Sequence, residues 1–251
     1  KVFLLTDFTA DNLVPLISTF CGAQGVETEI LLSSFNSVEQ TILDPSSTLY
    51  TSKPDIVVWV TSNHWFQQFT GKHTLVEIKN LEKAKETFFN LIDKLKSQSS
   101  AEVLVSNIPG QGYPLPSGSL SYHSMVGLDL AVSSFNVWLA KNNSDRIRVI
   151  DLSAAIFRGG GRNAMGTLNY LRARMAYEPP GTIAVSREIA SAISHVSGKT
   201  HRALVVDWDN TIWGGEVAEL GSFKVECGYD TPDALGYRLI QEYIKALKTQ
   251  G

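Results

Sequence analysis

The sequence predicts an α/β fold, a five-stranded parallel sheet with helices on both faces, followed by the start of a second domain. Three observations carry this. Short apolar runs alternate with longer amphipathic stretches five times over residues 1–197. The third run, Asp55–Thr61, is apolar through its Ile-Val-Val-Trp-Val centre, the mark of a strand covered on both faces. A polar break, Ser197-Gly198-Lys199-Thr200, then precedes a sixth apolar run that ends abruptly in two acids. The domain boundary is placed at that break, giving domains 1–197 and 198–251.

The elements follow in order. Val2–Leu5 is the first strand and Thr6-Asp7-Phe8-Thr9 the turn after it. Asp11 caps a helix to about Gln24 that buries Leu13, Leu16, Ile17 and Phe20, and Gly25 ends it. Glu27–Leu32 is the second strand. Ser33–Tyr50 is a long connection holding a short helix at Val38–Leu43, broken by Asp44-Pro45. Asp55–Thr61 is the third strand, with Ser62-Asn63-His64-Trp65 at its carboxyl end. Leu81–Lys96 is an amphipathic helix burying Ala84, Phe88, Leu91, Ile92 and Leu95. Ala101–Ser106 is the fourth strand. Ile108–Ser121, rich in Gly, Pro and Ser, is a loop, either a lid or partner surface or a plain connector. Tyr122–Ala140 is a helix, Arg146–Leu152 the fifth strand and Gly181–Ser197 the closing helix. Between the last two, Arg158-Gly-Gly-Gly-Arg162 is either an anion-binding turn or a flexible surface turn; the surface turn is preferred, because no strand feeds it.

Composition narrows the function classes. A net charge of −3 without a long basic run argues against nucleic acid as the main partner. No apolar run reaches the roughly 18 residues that span a bilayer. Two cysteines, Cys21 and Cys227, fall in different predicted domains and read as free thiols, which points to a reducing cytoplasm. The start, Lys1-Val-Phe-Leu-Leu, is a strand rather than a leader, and with no initial Met these termini read as those of a longer polypeptide.

The chemistry concentrates in Ala203-Leu-Val-Val-Asp207-Trp208-Asp209-Asn210-Thr211-Ile212-Trp213-Gly214-Gly215. An apolar strand delivers two carboxylates and a threonine at its carboxyl end, and a glycine turn follows. A bare Asp-x-Asp is also a common acidic strand–loop junction, but the whole string is far more specific. It resembles motif I of the haloacid dehalogenase (HAD) superfamily, in the version of its FkbH-like branch, whose members resemble HAD phosphatases of subfamily IIIC. The resemblance implies Asp207 as nucleophile and Mg2+ ligand. It implies Asp209 as general acid/base, also on the metal through its main-chain carbonyl. Thr211, Asn210, Gly214 and Gly215 would orient the loop and the phosphate. Glu216–Gly228, with an extended piece at Phe223–Cys227, resembles the flap after motif I. Thr231 caps a last helix with Pro232 in its first turn and Leu235, Leu239, Ile240, Tyr243, Ile244 and Leu247 on its core face. The other HAD motifs, a Ser/Thr, a lysine and further acids, are not within these residues. The sequence as it stands is therefore expected to show no phosphatase activity by itself.

The first 197 residues resemble an SGNH-hydrolase-like domain, as in the amino-terminal region of FkbH-like proteins. The implied architecture is a three-layer, flavodoxin- or SGNH-like domain followed by the start of a Rossmann-like HAD domain. Where SGNH enzymes carry Gly-Asp-Ser-Leu, this chain has Thr6-Asp7-Phe8-Thr9, with Phe8 at the nucleophile position. Where they carry Gly-x-Asn-Asp it has Thr61-Ser62-Asn63-His64, so only Asn63 remains of an oxyanion hole. Where they carry Asp-x-x-His it has Asn169-Tyr-Leu-Arg172. Without an activated hydroxyl there is no route to an acyl-enzyme, so the domain reads as a scaffold or binding module. Thr9, Ser62 with His64, and Ser121 with His123 stay open as replacement groups, with His64 and His123 both placed after strand ends.

The resemblance as a whole implies part of a glyceryl transferase/phosphatase. Such enzymes take a three-carbon unit from 1,3-bisphosphoglycerate, remove phosphate and load the unit on an acyl carrier protein. Arg158, Arg162, Arg172 and Arg174 are candidates for docking the acidic carrier, and Cys227 is a weak candidate for carrying the acyl group. The alternatives are a HAD phosphatase of a small phosphorylated metabolite, a non-catalytic SGNH-like docking module, and an esterase with an unorthodox serine.

Overall fold

The computed structural model of the protein describes residues 1–70, 75–110, 126–144, 147–199 and 203–250. The chain divides into two compact units, 1–200 and 201–251.

The first unit is built on five parallel strands: β1 (Val2–Thr6), β2 (Ile30–Leu32), β3 (Ile56–Val60), β5 (Glu102–Ser106) and β7 (Arg148–Ile150). Their spatial order is β2-β1-β3-β5-β7. The register runs Val2↔Ile56 to Thr6↔Val60 between β1 and β3, and Ile56↔Glu102 to Trp59↔Val105 between β3 and β5. Strand alternation sorts the side chains into two cores. Phe3, Leu5, Val57, Trp59, Val103 and Val105 face helices α2 (Val38–Leu43), α4 (Asn63–Thr70), α5 (Ile78–Gln98) and α6 (Leu128–Lys141). Val2, Leu4, Ile56, Val58, Val60, Leu104 and Ile150 face α1 (Leu13–Ala23), α7 (Leu152–Arg158) and α9 (Pro179–Val196). Because β3 is buried on both faces, it must be apolar at every position, as it is.

The centre of the first core is aromatic. Phe88 stacks on Trp59 at 4.5 Å between ring centroids and meets Trp65, Phe135 and Trp138 edge-on at 5.4–6.1 Å. Such offset and edge-to-face pairs each add about 0.5–1.5 kcal/mol beyond burial.

Several elements differ from the sequence expectation. β2 and β7 are shorter than Glu27–Leu32 and Arg146–Leu152, because only three residues of each reach a neighbouring strand in register. Asp11 caps nothing; α1 starts at Leu13 after Asn12, whose side chain donates to Thr182 Oγ1 at 3.5 Å instead. Gly25, at φ 75°, does end that helix's turn. α5 begins three residues before Leu81, after an extended Glu77. α9 begins at Pro179, whose fixed φ suits a first helical position. The Arg158–Arg162 glycines form a turn at the end of α7, leading into a 3₁₀ turn, Gly161–Ala164, with Gly160 and Gly161 at φ 114° and 58°. Short helices at α3 (Thr48–Thr51) and α8 (Thr167–Ala173) and a two-stranded antiparallel pair, β4 (Leu75–Val76) with β6 (Val126–Gly127), carried no sequence signal. The Gly/Pro/Ser-rich loop from residue 111 and the start of the Tyr122–Ala140 helix lie outside the described residues, as do Ser121 and His123.

The second unit holds α10 (Val217–Leu220) and α11 (Pro232–Gln250). The segment expected as the motif I strand, from Ala203, is not a strand: no described strand pairs with it, and Val205 is 95% exposed. An apolar run cannot hold strand geometry without a hydrogen-bonding neighbour. The extended piece at Phe223–Cys227 is likewise turn and bend, touching Gly214 through an isolated bridge at Glu226. The cap of α11 is as expected, with Thr231 Oγ1 accepting the Ala234 N–H at 3.1 Å.

Truncating Phe88 to Ala removes the hub of the aromatic cluster. The expected loss is about 3–5 kcal/mol of first-unit stability, measured as a shift in denaturant midpoint without loss of secondary structure below it.

Candidate functional site

The strand order reverses direction between β1 and β3, and in open parallel sheets the crevice at such a switch point is where ligands bind. The residues that emerge there are Asp7 after β1 and Ser62-Asn63-His64-Trp65 after β3.

Asp7 is buried and accepts three hydrogen bonds: from the Ser62 N–H at 3.1 Å, from the Trp65 N–H at 2.9 Å, and from the Ser62 hydroxyl. Ser62 in turn accepts the His64 N–H on its Oγ at 3.0 Å. Ser62 is thus the N-cap of α4, and Asp7 reaches across from the neighbouring strand to satisfy one more orphan donor of the same helix. Burial pushes the Asp7 carboxyl above its ordinary value, and the Ser62 and Trp65 donors pull it part of the way back. The Ser62 hydroxyl donates to Asp7 rather than to an imidazole, and both groups are tied to the backbone N–H groups that open α4.

Phe8, at the expected nucleophile position, is buried and packs edge-on against Tyr177 at 5.5 Å and 83°. Burial, with the nearby Asp7 charge, raises the Tyr177 phenol. Two hydrogen bonds lock the turn: the Thr6 hydroxyl donates to Phe8 O at 2.8 Å, and the Thr9 N–H donates to Arg174 O at 2.9 Å. Arg174 sits at φ 58°, in the left-handed region, which lets its carbonyl reach back to the turn.

His64 stacks face to face on Tyr170, with centroids 3.5 Å apart and planes 7° from parallel, and the Arg174 guanidinium lies over the Tyr170 ring, 5.2 Å from its centroid. Burial, with a smaller push from Arg174, lowers the imidazole to about 4, against a raising hydrogen bond with Gln67. His64 is therefore neutral at physiological pH. Asn169 donates to Glu178 at 2.6 Å and Arg172 is exposed, so the Asp-x-x-His position holds no acid–base pair. The Asn63 side chain lies outside the described residues. Of the docking arginines, Arg158 is paired with Glu188 at 2.7 Å, while Arg162 and Arg172 are exposed. A cleft lined by Arg148, Asp151, Glu188 and His195 runs along β7 and α9, and none of Asp7, Ser62 or His64 borders it.

Sequence reasoning named Asp7, Phe8, Ser62 and His64 but missed Trp65, Tyr170 and Tyr177. Trp65 had a legible signal, since Ser62 three residues before it is a good N-cap. Tyr170 and Tyr177 come from a distant segment that no local pattern connects to β1.

In the second unit, Asp207 is exposed, and one of its oxygens accepts the Trp208 N–H at 2.9 Å. Asp209 is half-buried; its Oδ1 accepts the Trp213 indole N–H at 2.8 Å and the Val217 N–H at 3.3 Å. Asn210 adopts φ 55°, and its side-chain oxygen accepts the Gly215 N–H at 2.8 Å. Thr211 and Ile212 both turn their N–H groups onto Trp208 O, at 3.2 and 3.0 Å. Gly214 has no room for a side chain, since a Cβ would meet Tyr237 at 2.8 Å. Cys227 Sγ accepts from Gln241 at 3.0 Å.

Among the described residues, no group of three or more His, Cys, Asp or Glu side chains gathers to hold a metal. Two hard carboxylates on one short loop nevertheless suit Mg2+, which keeps several waters and takes only one or two protein carboxylates beside a substrate phosphate.

The fold is a three-layer α/β domain whose strand-end residues gather at the β1–β3 switch point. The FkbH N-terminal domain family matches residues 1–178. The chain belongs to the FkbH family. No curated protein matches it. Among solved structures, it is similar to the N-terminal part of the protein BF1531 from Bacteroides fragilis, a structure containing a phosphatase domain complexed with Mg. That match has a TM-score of 0.86 at 20% identity and covers 100% of this chain, which spans 66% of the other. Axe2, an acetylxylan esterase from Geobacillus stearothermophilus, matches with a TM-score of 0.50 at 12% identity, over 76% of this chain and 93% of its own. At these identities the two matches establish the fold. Among the described residues, no helix is long and apolar enough to cross a membrane.

Two outcomes follow. In an NMR titration the His64 ring stays neutral down to about pH 4. A depressed histidine stabilises the fold above its unfolded value and loses that contribution as pH falls through about 4, so His64→Phe flattens the acid limb of stability between 6.5 and 4. A fluorophosphonate leaves Ser62 unlabelled under conditions that label an active serine esterase.

Proposed function

We propose that this chain is part of an FkbH-like Mg2+-dependent phosphatase/glyceryl transferase in which Asp207 is the nucleophile and Asp209 the general acid/base. The observation that carries the reading is the pairing on one loop of an exposed carboxylate, Asp207, with a second, Asp209, anchored through its Oδ1. Family membership supports it for the chain as a whole.

The reaction runs in two steps. An Asp207 oxygen attacks phosphorus as the bond to the leaving oxygen breaks, and Asp209, holding a proton, delivers it to that oxygen. Water then attacks the aspartyl phosphate, Asp209 takes back a proton, and phosphate leaves. Mg2+, held by the Asp207 carboxylate and the Asp209 carbonyl, would offset the repulsion between carboxylate and phosphate. The phosphorylated substrate in this reading is a three-carbon unit from 1,3-bisphosphoglycerate, destined for the thiol of an acyl carrier protein. The SGNH-like unit serves as a scaffold rather than a hydrolase, with Phe8 in place of a nucleophile. Its exposed Arg162 and Arg172 offer the cations an acidic carrier would meet.

In the intact protein, Asp207→Asn is expected to abolish phosphate release. Asp209→Asn is expected to lower it by roughly 10²-fold or more, the usual worth of a positioned acid. Chelation of Mg2+ should silence the native protein reversibly. Retained activity in Asp207→Asn would sink the reading. Phosphate release from small metabolites without loading of a carrier would leave a plain phosphatase in its place.

A further inference from the structure

We infer that Trp213 is a positioning residue that aims the Asp209 carboxyl at the leaving oxygen. The inference rests on the aspartyl-nucleophile reading above.

Trp213 and Asp209 are four residues apart, yet they meet through a side-chain hydrogen bond. The indole Nε1–H donates to Asp209 Oδ1 at 2.8 Å, and the Val217 N–H donates to the same oxygen at 3.3 Å. Among the described residues both donors converge on Oδ1, so the carboxyl group is anchored by that oxygen and Oδ2 is the one to carry a proton.

The indole meets one ring, and the backbone on both sides of Trp213 is tied down. Its ring meets Trp208 edge-on at 5.5 Å and 71°. On one side of it in the chain, Ile212 O accepts from Gln241 Nε2 of α11 at 2.7 Å. On the other side, Gly214 exchanges a reciprocal pair of backbone hydrogen bonds with Glu226 at 2.9 and 2.8 Å. Gly215, at φ 93° and with Leu220 where a Cβ would sit, sends its N–H to Asn210. The backbone flanking Trp213 is thus pinned to α11 and to the 221–228 turn, and the indole transmits that fixed position to Asp209. Ordinary core packing does not require an N–H on this ring; the hydrogen bond to a carboxylate does.

A group that aims a general acid matters in proportion to how badly the leaving group needs a proton. An alkoxide leaving from an alkyl phosphate needs one, and dinitrophenolate does not. Trp213→Phe keeps the aromatic ring and removes only the donor. In the intact protein with Mg2+, this variant is expected to lose about 10-fold in kcat on an alkyl phosphate, with KM little changed, and to stay within about twofold of native on 2,4-dinitrophenyl phosphate. A readout without catalysis accompanies it. The ¹⁵N-indole N–H resonance of Trp213 is expected to move on Asp209→Ala in metal-free protein without substrate. Equal losses on both phosphates, no loss on either, or an unmoved indole resonance would each overturn the positioning role while Asp207→Asn remains inactive. An active Asp207→Asn protein would instead overturn the nucleophile reading, and the positioning role with it.

Discussion

The first unit depends on one buried carboxylate. Asp7 ends β1, and its three hydrogen bonds all go to the start of α4, which follows β3. Parallel strands carry no direct turn between them, so their carboxyl ends need side chains to close off the backbone donors where pairing stops. Here Asp7 closes the β1–β3 junction. Ser33 and Ser106 do the same on either side, accepting the Thr6 N–H at 3.2 Å and the Thr61 N–H at 2.8 Å. Burial disfavours the carboxylate, and the donors of Ser62 and Trp65 offset part of that cost. That commitment occupies the strand-end crevice: its acid and its serine hydroxyl are both consumed in holding a helix.

The same economy governs the segment that closes over this junction. Phe8 fills the nucleophile position with a ring, Tyr177 packs against it, and the His64–Tyr170–Arg174 stack covers the neighbouring ground. An imidazole held neutral by burial against an aromatic face is a packing element. The strand order and switch point of an open α/β sheet are kept, and the polar groups at that switch point hold the structure together.

In the second unit the constraint is local and comes from the motif itself. Asn210 in the left-handed region, the Gly214-Gly215 pair and the Trp213 indole build a turn whose geometry survives without a strand behind it. Leu204 and Val205, by contrast, are exposed, since their partners would have to be other strands. A motif closed by its own hydrogen bonds and a strand closed only by neighbours respond differently to the same surroundings.

The sequence by itself determined the sheet: five apolar runs at alternating spacing, a wholly apolar β3, and the buried face of α5 follow from periodicity, because burial on two faces leaves no other composition possible. It also determined the absence of a serine after β1 and the Asp207–Gly215 string, since residue identity at a motif position needs no coordinates. Only the tertiary structure decided what those residues do. Asp7 capping a helix 55 residues away, Tyr177 sealing Phe8, and His64 made neutral under Tyr170 all arise from contacts between distant segments. Such contacts leave no periodic trace, because each is a single pair brought together by the crossing of parallel strands. Trp213 shows the same division at short range: its place in the motif was plain in the sequence, while the oxygen it holds emerged only once the chain was folded.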